Sequence, residues 1–83
     1  MKKEGVMPIR AYVFIETNPG KPSQVVEAVG KLPGVKVVHP VTGTYDVIAF
    51  VEAKDVAALG EFISAGVHRV PGVLKTTTNV VLD

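Results

Sequence analysis

The sequence predicts a two-layer α+β sandwich of order β-α-β-β-α-β, with two helices on one face of a four-stranded antiparallel sheet. Three observations carry this. Residues 9–16 alternate between apolar and less apolar side chains, the period of a strand. Two later stretches carry apolar residues at helical spacing, each between runs rich in valine. Each helical stretch also ends at the same break, Leu32-Pro33-Gly34-Val35 and Val70-Pro71-Gly72-Val73, so the chain reads as two copies of one plan.

Strand one is read over Ile9 to Glu16, with Ile9, Ala11, Val13 and Ile15 on one face and Arg10, Tyr12, Phe14 and Glu16 on the other. Thr17-Asn18-Pro19-Gly20 has turn chemistry. A helix over Pro22 to Lys31 follows, its inner stripe formed by Val25, Ala28, Val29 and Leu32. Its start is either Pro22, whose missing N–H is no loss in a first turn, or a Ser23 cap. Strand two is expected over Val35 to Thr42 and strand three over Tyr45 to Val51, joined by a hairpin at Thr42-Gly43-Thr44. Asp55 suits the N-cap of a second helix over Val56 to Val67, weakened by Gly60 and Gly66. Strand four runs from Val73 to Val81. Two split β-α-β units with right-handed crossovers give a ferredoxin-like fold.

The 83 residues allow one domain, preceded by a short extension over residues 1–8. Nine basic and eight acidic side chains leave a net charge of +1, and they are scattered singly apart from Lys2-Lys3. Phosphate backbones require clustered cations, so direct nucleic-acid binding is not expected. No long apolar segment follows Met1-Lys2-Lys3, and neither a signal peptide nor a membrane span is expected. The chain has no cysteine, which agrees with a cytoplasmic setting and removes both thiol nucleophile and thiolate ligand.

Two helices cover one sheet face and leave the other open. The open face would normally alternate with polar residues, yet Tyr12 and Phe14 lie there, and neither face of strand three reads as solvated. A patch of this kind is seldom exposed on a soluble monomer, so a second copy is expected to cover it. Strands two and four would form the outer edges.

Little in the chain suggests catalysis. His39 and His68 are distant in sequence, no glutamate pair has metal-ligand spacing, and no cofactor motif is present. The exception is Thr42-Gly43-Thr44-Tyr45-Asp46. Gly43 permits positive φ, the amides of Gly43 and Thr44 can face an anion, and Thr42 and Thr44 add hydroxyls. Asp46 either hydrogen-bonds its own turn or meets a ligand's ammonium group. The residues alone leave both open.

The signature Thr42-Gly43, Tyr45-Asp46, then Pro71-Gly72-Val73, Thr76, Thr78 and Val80-Val81-Leu82 resembles the C-terminal effector domain of the Lrp/AsnC (feast/famine) regulators, the RAM domain. The resemblance spans about residues 9 to 82. It implies a domain that dimerises through its sheet, assembles into octamers or similar rings, and binds small effectors, usually free amino acids, between dimers. By that resemblance the effector-binding residues are Thr42, Gly43, Thr44, Tyr45, Asp46, Thr76 and Thr78, while Thr77 is assigned to β-propensity alone. The family's helix-turn-helix domain has no room before strand one. A stand-alone sensor is therefore expected, either self-assembling or joining full-length Lrp/AsnC regulators. The remaining alternatives are a purely structural or ACT-like module, with Asn18-Pro19-Gly20 as the ACT-like loop, and a small dimeric ferredoxin-like enzyme using His39, Tyr12 or Tyr45.

Overall fold

A computed structural model describes residues 8–82 of the chain, so all but Pro8 of the N-terminal extension lies outside the described residues. Its elements are β1 (Ile9–Thr17), α1 (Pro22–Gly30), β2 (Val35–Pro40), β3 (Val47–Ala53), α2 (Val56–Glu61) and β4 (Val73–Val80). After α2 the chain continues through a π turn (Phe62–Gly66) and a 3-10 turn (Val67–Arg69). The strands form one antiparallel sheet of order β2-β3-β1-β4, which is the ferredoxin-like arrangement with β2 and β4 outermost.

The alternation in β1 sets the two layers. Ala11, Val13 and Ile15 are fully buried, and their cross-strand partners on β3, Val51, Ala49 and Val47, are buried with them. Val25 and Val29 of α1 and Leu59 of α2 close over this face. Burying each such aliphatic side chain contributes about 1.5–3 kcal/mol, less the conformational entropy lost. Small and β-branched residues dominate here because the helices lie directly on the sheet.

Among the described residues no helix covers the opposite face. Cross-strand partners share a face, so its two central rows are His39–Ile48–Phe14–Thr77 and Val37–Phe50–Tyr12–Asn79. Tyr12 and Phe50 pack with ring centroids 4.9 Å apart, and Tyr12 and Val37 remain over 40% exposed. Charged rows flank this patch: Arg10 opposite Glu52 at one end, Glu16 opposite Lys75 at the other. Lys36 joins the first, its Nζ 3.4 Å from Glu52.

The larger departures from the sequence reading lie at the β2–β3 connection and in the second helix. β2 stops at Pro40 and β3 starts at Val47, so a six-residue loop replaces the expected tight hairpin. Proline lacks the N–H that would continue a ladder, and Asp46 uses its side chain as well as its backbone at the far side of the loop. The second helix is regular only to Glu61. Gly60 and Gly66 commit weakly to an α-helix; the π turn sets Gly66 against Leu32 and delivers Val67 fully buried to the core. At the first helix, Pro22 occupies the first turn and no side chain caps it, while Asp55 does cap α2, accepting from the Ala58 N–H at 2.7 Å.

The repeated Pro-Gly breaks adopt one conformation. Gly34 and Gly72 have φ of +92° and +98°, and each turns the chain from a helix into an outer strand. At Gly34 a Cβ would lie 2.7 Å from the Glu52 carbonyl oxygen, while the Gly34 carbonyl accepts the Glu52 N–H at 2.8 Å. A side chain there meets both backbone strain and a collision with a strand that cannot move alone. Gly34→Ala is expected to lower unfolding stability by about 2 kcal/mol or more in urea denaturation. An unchanged midpoint would show that this approach is not fixed in solution.

Candidate functional site

The loop between β2 and β3 is closed by the Val41 N–H donating to the Asp46 carbonyl at 2.8 Å. Within it Gly43 holds φ of +117°. No heavy atom lies within 4 Å of a Cβ built there, so glycine is required by the backbone and not by crowding. Thr42, Gly43 and Thr44 are exposed, which leaves their hydroxyls and amides accessible to a ligand.

Tyr45 and Asp46 tie this loop to the sheet. Tyr45 folds over Phe14 on the open face, with ring centroids 5.3 Å apart and planes inclined by 42°. Its Oη lies 3.5 Å from Thr77 Oγ1, which is long for an O–H···O bond and makes the pair an orienting contact. Asp46 grips the end of β1 twice. Its N–H donates to the Ile15 carbonyl at 2.9 Å, and its Oδ2 accepts the Thr17 N–H at 2.8 Å. The carboxylate therefore supplies the acceptor that a backbone carbonyl would have given had the ladder continued. Of the two tasks open to Asp46 from sequence, the structure places one oxygen in a hydrogen bond to the neighbouring strand, and not to its own turn.

The expected strand-four residues lie elsewhere. Thr76 and Thr78 are paired opposite Ile15 and Val13 and so face the helix layer, while Thr77 faces the open side with Tyr45. Thr76 Oγ1 is 2.8 Å from Nε2 of His68, the residue that follows the π turn and Val67. The seven residues thus form a contiguous group of five in the loop and a separate pair on the far edge strand, facing the helices. Residues that the sequence reading did not connect to the site are Thr17, His68 and Thr77. Strand register was the only signal that places Thr17 beside Asp46 and Thr77 beneath Tyr45. The Thr17 hydroxyl is itself buried and has no hydrogen-bond partner among the described residues.

Two concavities accompany these features. One of about 540 Å³ lies at the opposite end of the sheet, between the end of α1 and the start of the second helix, and is walled by Leu32, Val51, Leu59 and Phe62. Glu52 and Glu61 also stand on its otherwise mostly apolar lining. A smaller dish of about 240 Å³ lies on the open sheet face and is lined by Tyr12, Val37, His39, Ile48 and Phe50. Among the described residues no group of three or more His, Asp or Glu could hold a metal ion, and no helix is long and apolar enough to cross a membrane.

Comparison with known proteins places this geometry. The family model for the Lrp/AsnC ligand-binding domain matches residues 10–83, and the chain belongs to that family. An HTH-type transcriptional regulator of Pyrococcus abyssi is 36% identical over 73 residues, covering 88% of this chain and 46% of the regulator. The chain thus spans about half the length of the curated regulators it matches. Among solved structures, TTHA0845 from Thermus thermophilus is 35% identical with a TM-score of 0.86, and the match covers 90% of this chain and 94% of that one. FFRP-DM1 is 30% identical with a TM-score of 0.84, covering 89% and 99%. A part of the homocitrate synthase of Sulfurisphaera tokodaii is also similar, 40% identical over 58 residues that make up 70% of this chain and 12% of the enzyme.

Removing the Asp46 acceptor leaves the Thr17 N–H unpaired in a half-buried position. Asp46→Ala is expected to cost about 1–3 kcal/mol of unfolding free energy, whereas Asp46→Asn keeps an acceptor oxygen and most of the stability. Equal losses in chemical denaturation would mean that charge, not hydrogen bonding, is what the fold needs. Thr17→Val removes a buried hydroxyl that has no partner and keeps the shape, so it is expected to stabilise the fold by up to about 1 kcal/mol. A clear loss of melting temperature in that variant would show that the hydroxyl is bonded after all.

Proposed function

We propose that the chain is a non-enzymatic sensor of free amino acids that works as a self-assembling effector domain. The loop Thr42–Asp46 carries this reading. It combines exposed amides and hydroxyls, which suit a carboxylate, with the Asp46 carboxylate, which suits an ammonium group. Oδ2 holds Thr17; Oδ1 of the same group is the acceptor assigned here to the ligand. In this reading Thr42, Gly43, Thr44 and Tyr45 border the effector, and Thr76 and Thr78 take part only from a neighbouring copy, since their own side chains face away from Tyr45.

Assembly follows from the open sheet face. Two-fold association requires a surface that complements itself. The patch has an apolar centre and a rim row at each end that holds both signs of charge, as a self-complementary interface needs. A second copy laid on this face buries Tyr12, Phe14, Ile48 and Phe50. Dimers built in this way assemble further, into octamers or similar rings, with effectors between them. In the cytoplasm such a domain joins its own copies or full-length Lrp/AsnC regulators.

The similarity to part of a homocitrate synthase favours a second reading, in which the same sensing unit regulates a biosynthetic enzyme and not a promoter. Both readings share the ligand step, and a single screen tests it. At an amino acid concentration about a hundred times its Kd, folding gains about 2.7 kcal/mol, which raises the melting temperature of so small a domain by about 10 °C or more. At least one free amino acid is expected to produce such a shift, and Asp46→Asn is expected to abolish it while melting near the parent temperature without ligand. No shift with any amino acid would leave a purely structural module.

A further inference from the structure

We propose that His39 makes the sheet-to-sheet association sensitive to protons, so that the dimer weakens as pH falls through the histidine range. The inference rests on the proposed dimer and adds to it. His39 is exposed on the outer strand β2, directly opposite Ile48, and lines the dish on the open face with Tyr12, Val37, Ile48 and Phe50. It is the one group in the two central rows that changes charge between about pH 5 and 8.

The charged groups around it sit outside those rows. From β1 come Arg10 and Glu16, from β2 Lys36, from β3 Glu52 and from β4 Lys75; among the described residues no helix reaches this face. Tyr12 and Tyr45 add phenols, and Asp46 hydrogen-bonds to the end of β1. Glu52 already pairs with Lys36 at 3.4 Å. Within its own chain the imidazole therefore meets aromatic and aliphatic neighbours and has no carboxylate in its row to stabilise a positive charge.

Laying a second copy on the dish removes water from this ring. Desolvation disfavours the charged form, and the neutral ring fits an apolar seam. Separation returns the ring to water, where this penalty does not apply. Whichever state binds more protons gains as pH falls, so acidification favours separation. Two copies bring two such rings into one interface, which sharpens the response.

The test is sedimentation of the full chain at about pH 7.5 and about pH 5.5, where carboxylates stay ionised. The dimer dissociation constant is expected to rise at least about tenfold at the lower pH. In His39→Phe, which is apolar and does not titrate, the dimer should persist at both. His68→Gln, a change at the only other histidine, should keep the full response. Equal association of the parent at both pH values, tighter association in acid, or a response lost in His68→Gln would each overturn the proposal while leaving the dimer in place. A monomer at about pH 7.5 would overturn the dimer, and the proton response with it.

Discussion

One-sided coverage of the sheet is the constraint on which the rest depends. The two helices can cover only one face, and β1, a central strand, shows both results. Its inward side chains, Ala11, Val13 and Ile15, are small or β-branched and fully buried, whereas its outward ones, Tyr12 and Phe14, are large and aromatic. An inner layer this close-packed has no space for rings of that size. The outer face has the space and, among the described residues, no helix over it. A sheet that ordinarily alternates apolar with polar here alternates apolar with aromatic, and the apolar area outside the core becomes the surface available for association.

The loop that carries the family signature is held by the same strand. Asp46 bonds β1 at residues 15 and 17, once through its backbone and once through its side chain. Tyr45 lies on Phe14 of that strand. A loop with an exposed glycine at positive φ would otherwise be loosely fixed, because nothing packs around Gly43. Its position is determined by the two residues that follow the glycine. An aspartate beside a turn is usually explained by the turn; here it belongs to the strand next door, and that is why a half-buried backbone N–H beyond the ladder is not left unpaired.

Element order, the faces of β1 and the Asp55 cap were legible in the sequence because each depends on local pattern: period two, period 3.6, a capping side chain. The part of the outer face on β1 was legible for the same reason, since Tyr12 and Phe14 alternate with the core residues, whereas on β3 neither face read as solvated and Ile48 and Phe50 were left unassigned. What was not legible depended on register. Whether Thr76 or Thr77 shares a face with Tyr45 turns on a single residue of offset between β1 and β4, and a shift of one flips every side chain. The bulge between Glu16 and Thr17 adds a local irregularity no composition rule foresees. The break of the second helix at Glu61 was signalled by Gly60 and Gly66, but weak propensity alone does not say that a π turn will follow. Its cause is tertiary, the seating of Val67 in the core and Gly66 against Leu32.

These attachments give the proposed ligand site and the proposed interface a shared physical element. Tyr45 belongs to the loop that would border an effector, yet its ring forms part of the open face through Phe14. Asp46 faces the same loop and fixes the end of the strand that carries Tyr12 and Phe14 into the interface. A ligand can shift assembly only by binding one assembly state more tightly than the other. Orientation of Tyr45 supplies such a difference: a copy laid on the sheet holds the ring against Phe14, and a ring held there orders the loop before the ligand arrives. Linkage then makes the effect reciprocal. Whatever factor the dimer adds to effector affinity, the effector adds to dimer affinity, and a proton that loosens the sheet-to-sheet seam also loosens the grip on the effector.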